Sequence, residues 1–260
     1  MAAAVRCPVL GRGLEWIGVL TYASEAWERS WMVQLQMGCC TSDLQAWSPT
    51  MIQRGEPVVT SGDLPLELAN AFAGCALLGW DIETSGLDWR SDRIGTCQVF
   101  AAEIGAAVVS LSGDTPVRLA GLLDNPHVVK VFHHAPFDLR FMVHAWGARP
   151  ASIRCTKVAS KLLDPQAPNE VHSLQALAER FLDVRLSKGP VRTSDWSVDT
   201  LSAEQINYAV KDVIHLPSLL GALEQALQGK GLDDLYDQCC AFLPARVALE
   251  LGGYPDVFAY

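Results

Sequence analysis

The run LGWDIETSGLD, from Leu78 to Asp88, constrains this chain more than any other. Apolar residues lead into Asp81-Ile82-Glu83, and small polar residues with a glycine follow. In an extended strand, residues i and i+2 face the same way. Asp81 and Glu83 therefore stand side by side where an apolar strand ends. Two carboxylates that close repel each other unless a cation lies between them, and a divalent metal is the usual answer. Taken alone, the triplet reads equally well as acids flanking a turn.

The 260 residues suffice for one large domain or two small ones, and the 50% hydrophobic share argues for a folded core rather than disorder. No apolar run reaches the roughly 18 residues of a membrane span, so no membrane partner is expected. The start, MAAAVRCPVLGRGLEWIGVL, is too broken by Arg, Gly and Glu to form a signal-peptide core. Cysteines at 7, 39, 40, 75, 97, 155, 239 and 240 include no CxxC pair. They read as reduced, mostly buried thiols of a cytoplasmic protein. A net charge of −9 gives no general attraction to phosphates. One window departs from that balance: Arg149, Arg154, Lys157, Lys161, Arg180, Arg185, Lys188 and Arg192 meet only Asp164, Glu170, Glu179 and Asp183. It reads as a solvated helix face or as a binding surface.

In chain order, residues 1–55 carry Trp16, Trp27, Trp31 and Trp47 with no clear period, and are read as an N-terminal extension. Residues 56–260 are read as the catalytic domain. Ser61 or Asp63 is placed to cap a short helix begun by Pro65 and running through Leu68 and Phe72. Ala76–Ile82, Ile94–Phe100 and Ala106–Leu111 read as strands of an antiparallel meander, with Gly86, Asp92 and Gly105 in the short gaps. From Pro116 the pattern changes. A helix over Pro116–Leu123 precedes a strand over His127–Phe132, a helix over Pro136–Trp146 and a short strand over Ser152–Cys155. Helices then follow at Lys157–Leu163, Ser173–Leu182 and Ala203–Gln228, the last interrupted near Pro217. This order makes an α/β domain with a mixed sheet.

Two more acids stand out on that framework. Asp138, in VFHHAPFDLRFM, falls in the first turn of a helix, where the positive helix end favours a carboxylate with or without further function. Asp212, in INYAVKDVIHL, follows Tyr208 by four residues, which puts phenol and carboxylate on one helix face. A core tyrosine beside an exposed acid fits that spacing as well.

Taken in order, D-x-E at a strand end, Asp at a helix start and Y-x-x-x-D on a late helix resemble the DEDD 3′→5′ exonuclease superfamily. The resemblance is to its tyrosine-type, ribonuclease D-like branch. The linking run SLQALAERFLDVRLSKGPVRTSDWSVDTLSAEQINYAVKD adds to it, notably Lys188, Ser194-Asp195-Trp196 and Leu201-Ser202, and the likeness extends over Val58 to Leu227. It implies a ribonuclease H-like fold, a mixed sheet flanked by helices in a single catalytic domain. It also implies hydrolysis with two divalent cations, Mg²⁺ or Mn²⁺, about 3.5–4 Å apart. Asp81 would bridge them, Glu83 and Asp212 would complete the ion on the nucleophile side, and Asp138 would serve the second. Tyr208 would orient the attacking water. Thr84, Leu87, Lys188 and Arg192 are the expected substrate contacts. Leu87 would wedge against the terminal base, though a core leucine fits that position equally well.

Where the histidine-type branch carries His, five residues before the last Asp, this chain has Asn207. The His133-His134 pair lacks the spaced partners of a zinc site. The chain ends before the helical RNA-binding domains of full-length ribonuclease D, so the expected partner is the 3′ end of short single-stranded RNA, released as 5′-nucleoside monophosphates. The runner-up is the same chemistry on single-stranded DNA, because the carboxylates do not read the 2′-OH. A non-catalytic nucleic-acid-binding module is the distant alternative. The sequence sets no oligomeric state.

Overall fold

The computed structural model describes residues 56–260 apart from 187, 188, 190, 192, 193, 199, 255 and 260. The N-terminal extension, Lys188 and Arg192 therefore lie outside the described residues. The described chain runs β1 (Val58–Ser61), α1 (Leu66–Ala73), β2 (Leu77–Thr84), β3 (Ile94–Ala101), β4 (Gly105–Ser110), α2 (Val117–Asp124), β5 (Val129–Phe132), α3 (Ala135–Trp146) and β6 (Ile153–Cys155). Helices α4 (Thr156–Leu163), α5 (Leu174–Leu182), α6 (Ala203–Ile214), α7 (Leu216–Gln228) and α8 (Asp233–Leu251) complete it.

Six strands form one sheet in the order β1-β4-β3-β2-β5-β6. β2, β3 and β4 are the expected antiparallel meander, whereas β5 and β6 extend the sheet in parallel from β2. The mixed sheet flanked by helices is the ribonuclease H-like arrangement expected from the motifs. β1, a four-residue edge strand parallel to β4, was not expected, because VVTS is too short to show a period. Nor was α8, whose interior Pro244 and weak apolar periodicity hide a 19-residue helix.

One cap belongs to a different helix from the one expected. Asp63 does not cap α1, which starts at Pro65 without a side-chain cap. Its carboxylate instead accepts from the backbone N–H groups of Arg118 (2.8 Å) and Leu119 (3.1 Å), at the start of α2. Those first-turn donors lack partners within their own helix, and a carboxylate brought from 55 residues away satisfies them as well as a local one would.

β2 organises both faces of the sheet. Leu78, Trp80 and Ile82 are buried in the main core, with Trp80 and Phe132 rings 6.2 Å apart. Gly79, Asp81 and Glu83 take the opposite face. There α6 crosses the sheet, packing Ala209 with Val108, Trp196 and Leu201 into a second, smaller cluster. A Cβ on Gly79 would collide with the Val213 carbonyl, so glycine is what lets the end of α6 settle against the strand. Among the described residues the five cysteines are free thiols, three of them buried, and no helix is long and apolar enough to cross a membrane.

Candidate active site

The strand and helix just described bring three acids together. One carboxylate oxygen each from Asp81, Glu83 and Asp212 lie within 4.8 Å of one another, the only such group of three or more acids, histidines or cysteines among the described residues. Asp81 and Glu83 arrive from the strand alternation, and Asp212 from the last turns of α6.

Asp138 joins from the far edge of β2. β5 pairs with β2 only along Leu77–Gly79, so the Ile82 N–H beyond it has no neighbouring strand on that side. Asp138, buried in the first turn of α3, accepts this N–H through Oδ1 at 3.3 Å. The expected four carboxylates thus gather around one strand end, with three in mutual reach and the fourth beside Asp81.

Such crowding is costly for bare carboxylates. Burial raises the Asp81 carboxyl well above the usual range, and Asp138, Glu83 and Asp212 push it further. Burial likewise raises Asp138 to about 8, against the pull of its own and the Ile82 N–H groups and of Arg140. Hard oxygen donors with too much negative charge fit divalent cations of the Mg²⁺ or Mn²⁺ kind.

One partner is not apparent from the sequence. Gln98 on β3 donates from Nε2 to Asp81 Oδ2 at 2.6 Å, and Thr96 donates to Gln98 Oε1 at 3.1 Å. Asp81 faces Gln98 and Glu83 faces Thr96 across the antiparallel pair. The signal is present in the sequence only as two polar residues inside an apolar strand, and it needs the register to be read. This chain of hydrogen bonds fixes the orientation of the Asp81 carboxylate.

Tyr208 hydrogen-bonds Asp212, and burial together with Asp212 and Glu83 raises its phenol far above its ordinary value. The ring lies 5.9 Å from that of Trp196. Gln205, buried at the start of α6, donates to Ser194 Oγ (3.1 Å) and to the Asp195 carbonyl (2.9 Å), which ties the Ser194-Asp195-Trp196 run to the Tyr208 helix. The same glutamine closes a capping box with Ser202.

Thr84 donates to the Gly86 carbonyl at 2.5 Å in the turn after β2. Leu87, on that turn, is 81% exposed, which removes the core-leucine alternative. Asn207 is exposed. His133 lies 2.9 Å from the Thr156 hydroxyl and His134 Nδ1 lies 3.4 Å from Lys157 Nζ, and neither belongs to a three-ligand group.

An acid-lined, ribonuclease H-like sheet of this kind defines a nuclease fold of the DEDD class. A family profile described as 3′-5′ exonuclease matches residues 57–228. The chain belongs to this 3′-5′ exonuclease family, on its ribonuclease D-like branch. Ribonuclease D of Zymomonas mobilis is 35% identical over 117 residues, 45% of this chain and 29% of that protein. The chain thus spans less than a third of the length of several ribonuclease D relatives that it matches. Among solved structures, NrnC of Brucella melitensis superposes with a TM-score of 0.72 at 33% identity, covering 78% of this chain and 98% of that one. NrnC has also been solved with bound Mg²⁺ and bound to pGG. RNase D of Escherichia coli shares the fold at a TM-score of 0.65 and 20% identity, covering 74% of this chain and 50% of that one.

Proposed function

We propose that this chain is a metal-dependent 3′→5′ exoribonuclease of the cytoplasm, which releases 5′-nucleoside monophosphates from single-stranded RNA ends through the domain at residues 56–260. The observation that carries the reading is the meeting of Asp81, Glu83 and Asp212, drawn from two separate motifs, with Asp138 of a third beside them. That NrnC has been solved with Mg²⁺ and with pGG supports a divalent cation and a short oligonucleotide as the ligands here.

In this reading Asp81, Glu83 and Asp212 would hold one cation, and Asp138 with Asp81 would serve the other. When bound, the pair supplies Lewis-acid stabilisation of the attacking and leaving oxygens and an attacking water of lowered pKa. Gln98 holds Asp81 in place for that role. Tyr208, whose phenol is raised by burial and by the acids beside it, would orient the attacking water through its hydroxyl. Leu87 and Thr84, on and before the exposed turn after β2, meet the terminal nucleotide. Lys188 and Arg192 are assigned to substrate phosphates by their place in the family-like segment.

Digestion of matched 5′-labelled and 3′-labelled RNA and DNA oligomers with Mg²⁺ or Mn²⁺ tests the reading. The 5′-labelled RNA should shorten stepwise while the 3′ label appears at once as mononucleotide. Internal cuts, or no cleavage with either ion, would sink it. The DNA lanes decide the sugar preference.

A further inference from the structure

The run Ser194-Asp195-Trp196 meets the sheet where the meander loses its register. Along β2, Glu83 faces Thr96 on β3, but the next residue, Thr84, faces Ile94. Gly95 is the residue passed over, so it forms a bulge beside Glu83. Bulges gather next to active sites, where they re-aim a side chain or end the pairing. The Gly95 carbonyl still accepts the Leu111 N–H at 2.8 Å, which keeps the bulge in place. A Cβ on Gly95 would collide with the Trp196 carbonyl, so glycine lets the run lie directly on the strand.

Trp196 is fastened from several sides. The Ser197 N–H donates to Asp195 Oδ1 at 2.8 Å, which closes a tight turn around the tryptophan. Gln205, from the start of α6, holds Ser194 and the Asp195 carbonyl. Val108, Leu201 and Ala209 pack with the indole and leave it 2% exposed. Burial alone asks only for an apolar pocket. Here the strand beside Glu83 and the helix that carries Tyr208 and Asp212 together set where the indole goes.

Tyr208 is restrained at both ends. Its hydroxyl bonds Asp212, one of the three acids in mutual reach, and its ring meets Trp196 at 5.9 Å and 48°. A cation at the acids draws on the same Asp212 carboxylate, so the ring contact is the restraint that does not compete with it. We infer that Trp196 is a positioning residue for Tyr208. Seated on the Gly95 bulge and tied down by Gln205, it holds the phenol where the hydroxyl can meet the attacking water. The inference rests on the nuclease reading above and deepens it. Trp196 acts through Tyr208, not on the reacting atoms, and a misplacement of about 1 Å can cost about 10²-fold in rate.

A double-mutant cycle tests this, with single-turnover RNA cleavage at saturating Mn²⁺ in the wild-type and Tyr208→Phe backgrounds. Trp196→Leu should lower the rate about 10–100-fold while Tyr208 is intact, and should add little once the hydroxyl is gone. Trp196→Phe, which keeps a ring against Tyr208, should lose less than the Leu variant. Gln205→Met frees the run without touching the indole, and its smaller loss should show the same dependence on Tyr208. Mn²⁺ affinity by calorimetry should not move in any of them. A crystal structure of Trp196→Leu reads the geometry without turnover, and there the Tyr208 hydroxyl should leave hydrogen-bond reach of Asp212. If melting shows that the Leu variant does not fold, Trp196→Phe and Gln205→Met carry the same cycle and the same structure. Equal losses in the two backgrounds, no loss in either, weakened Mn²⁺ binding or an unmoved Tyr208 overturns the positioning role. A wild type that cuts no RNA overturns the nuclease reading, and the crystal structure then decides the positioning by itself.

Discussion

The first turns of α3 serve two clusters of like charge, opposite in sign. On one side Asp138 stands with Asp81, Glu83 and Asp212; burial drives the carboxyl groups of Asp81 and Asp138 upward, and the neighbouring acids add to the rise at Asp81. On the other side Arg140 stands with Lys157, Lys161 and Arg246, and repulsion and burial drive the imidazole of His134 downward. Burial is the larger cause on both sides, and neighbours of like charge add to it at Asp81 and at His134. The difference teaches that one helix start separates charge of opposite sign, with acids toward β2 and lysines and arginines toward α4 and α8.

The comparison breaks most visibly at its acidic end. Asp81→Ala removes the carboxylate that the other three surround, so Mn²⁺ binding by calorimetry and RNA hydrolysis should both disappear. Retention of Mn²⁺ binding would mean that Glu83 and Asp212 suffice and that Asp81 is no bridge.

Tyr208→Phe sharpens the roles within that cluster. Removing only the hydroxyl should lower the single-turnover rate at saturating Mn²⁺ by about 10²–10⁴-fold, the usual worth of a positioning or acid–base group. Mn²⁺ affinity should stay near the wild-type value. Wild-type rates would return Tyr208 to a packing role beside Trp196.

A smaller effect is expected behind Asp81, on the neighbouring strand. Gln98→Leu takes the hydrogen bond from Asp81 while keeping the volume in the strand. Partners of this kind are worth about 10–100-fold in metal affinity. An Mn²⁺ dissociation constant that does not move would show that the strand backbone alone orients Asp81.

The smallest effect is on stability, and its sign distinguishes the two clusters. Asp138 has a folded pKa near 8, raised above its unfolded value near 4. The stability it contributes is complete below the unfolded value and is lost as pH rises toward 8. His134 runs the other way: its lowered pKa costs stability only below about 6.5. Between pH 6.5 and 8 the His134 contribution is constant. In EDTA the protein should lose about 1–2 kcal/mol over that interval, or about 2–4 °C of melting temperature for each kcal/mol. Mn²⁺ should flatten the profile. A melting temperature that is level in EDTA would mean that the acids are ionised and solvated without a cation.

What could be read from residues alone was whatever repeats over short distances. Alternation along a strand set Asp81 beside Glu83, the four-residue helical spacing set Tyr208 beside Asp212, and the change of period at Pro116 marked the passage from meander to alternating helix and strand. The ordered acidic motifs supplied the class of chemistry. Tertiary structure decided what depends on residues far apart in the chain. Gln98 reaches Asp81 only because of a strand register, and Asp212 reaches the acids only because Gly79 has no side chain to hold α6 away. Asp63 reads as a local cap and serves a helix 55 residues on. The cationic cluster draws on α3, α4 and α8, and only Lys157 and Lys161 fall in the basic window visible in the sequence. Local geometry follows from backbone stereochemistry, which acts over a few residues. Packing and electrostatics act through space, and their partners become visible only when the chain has folded.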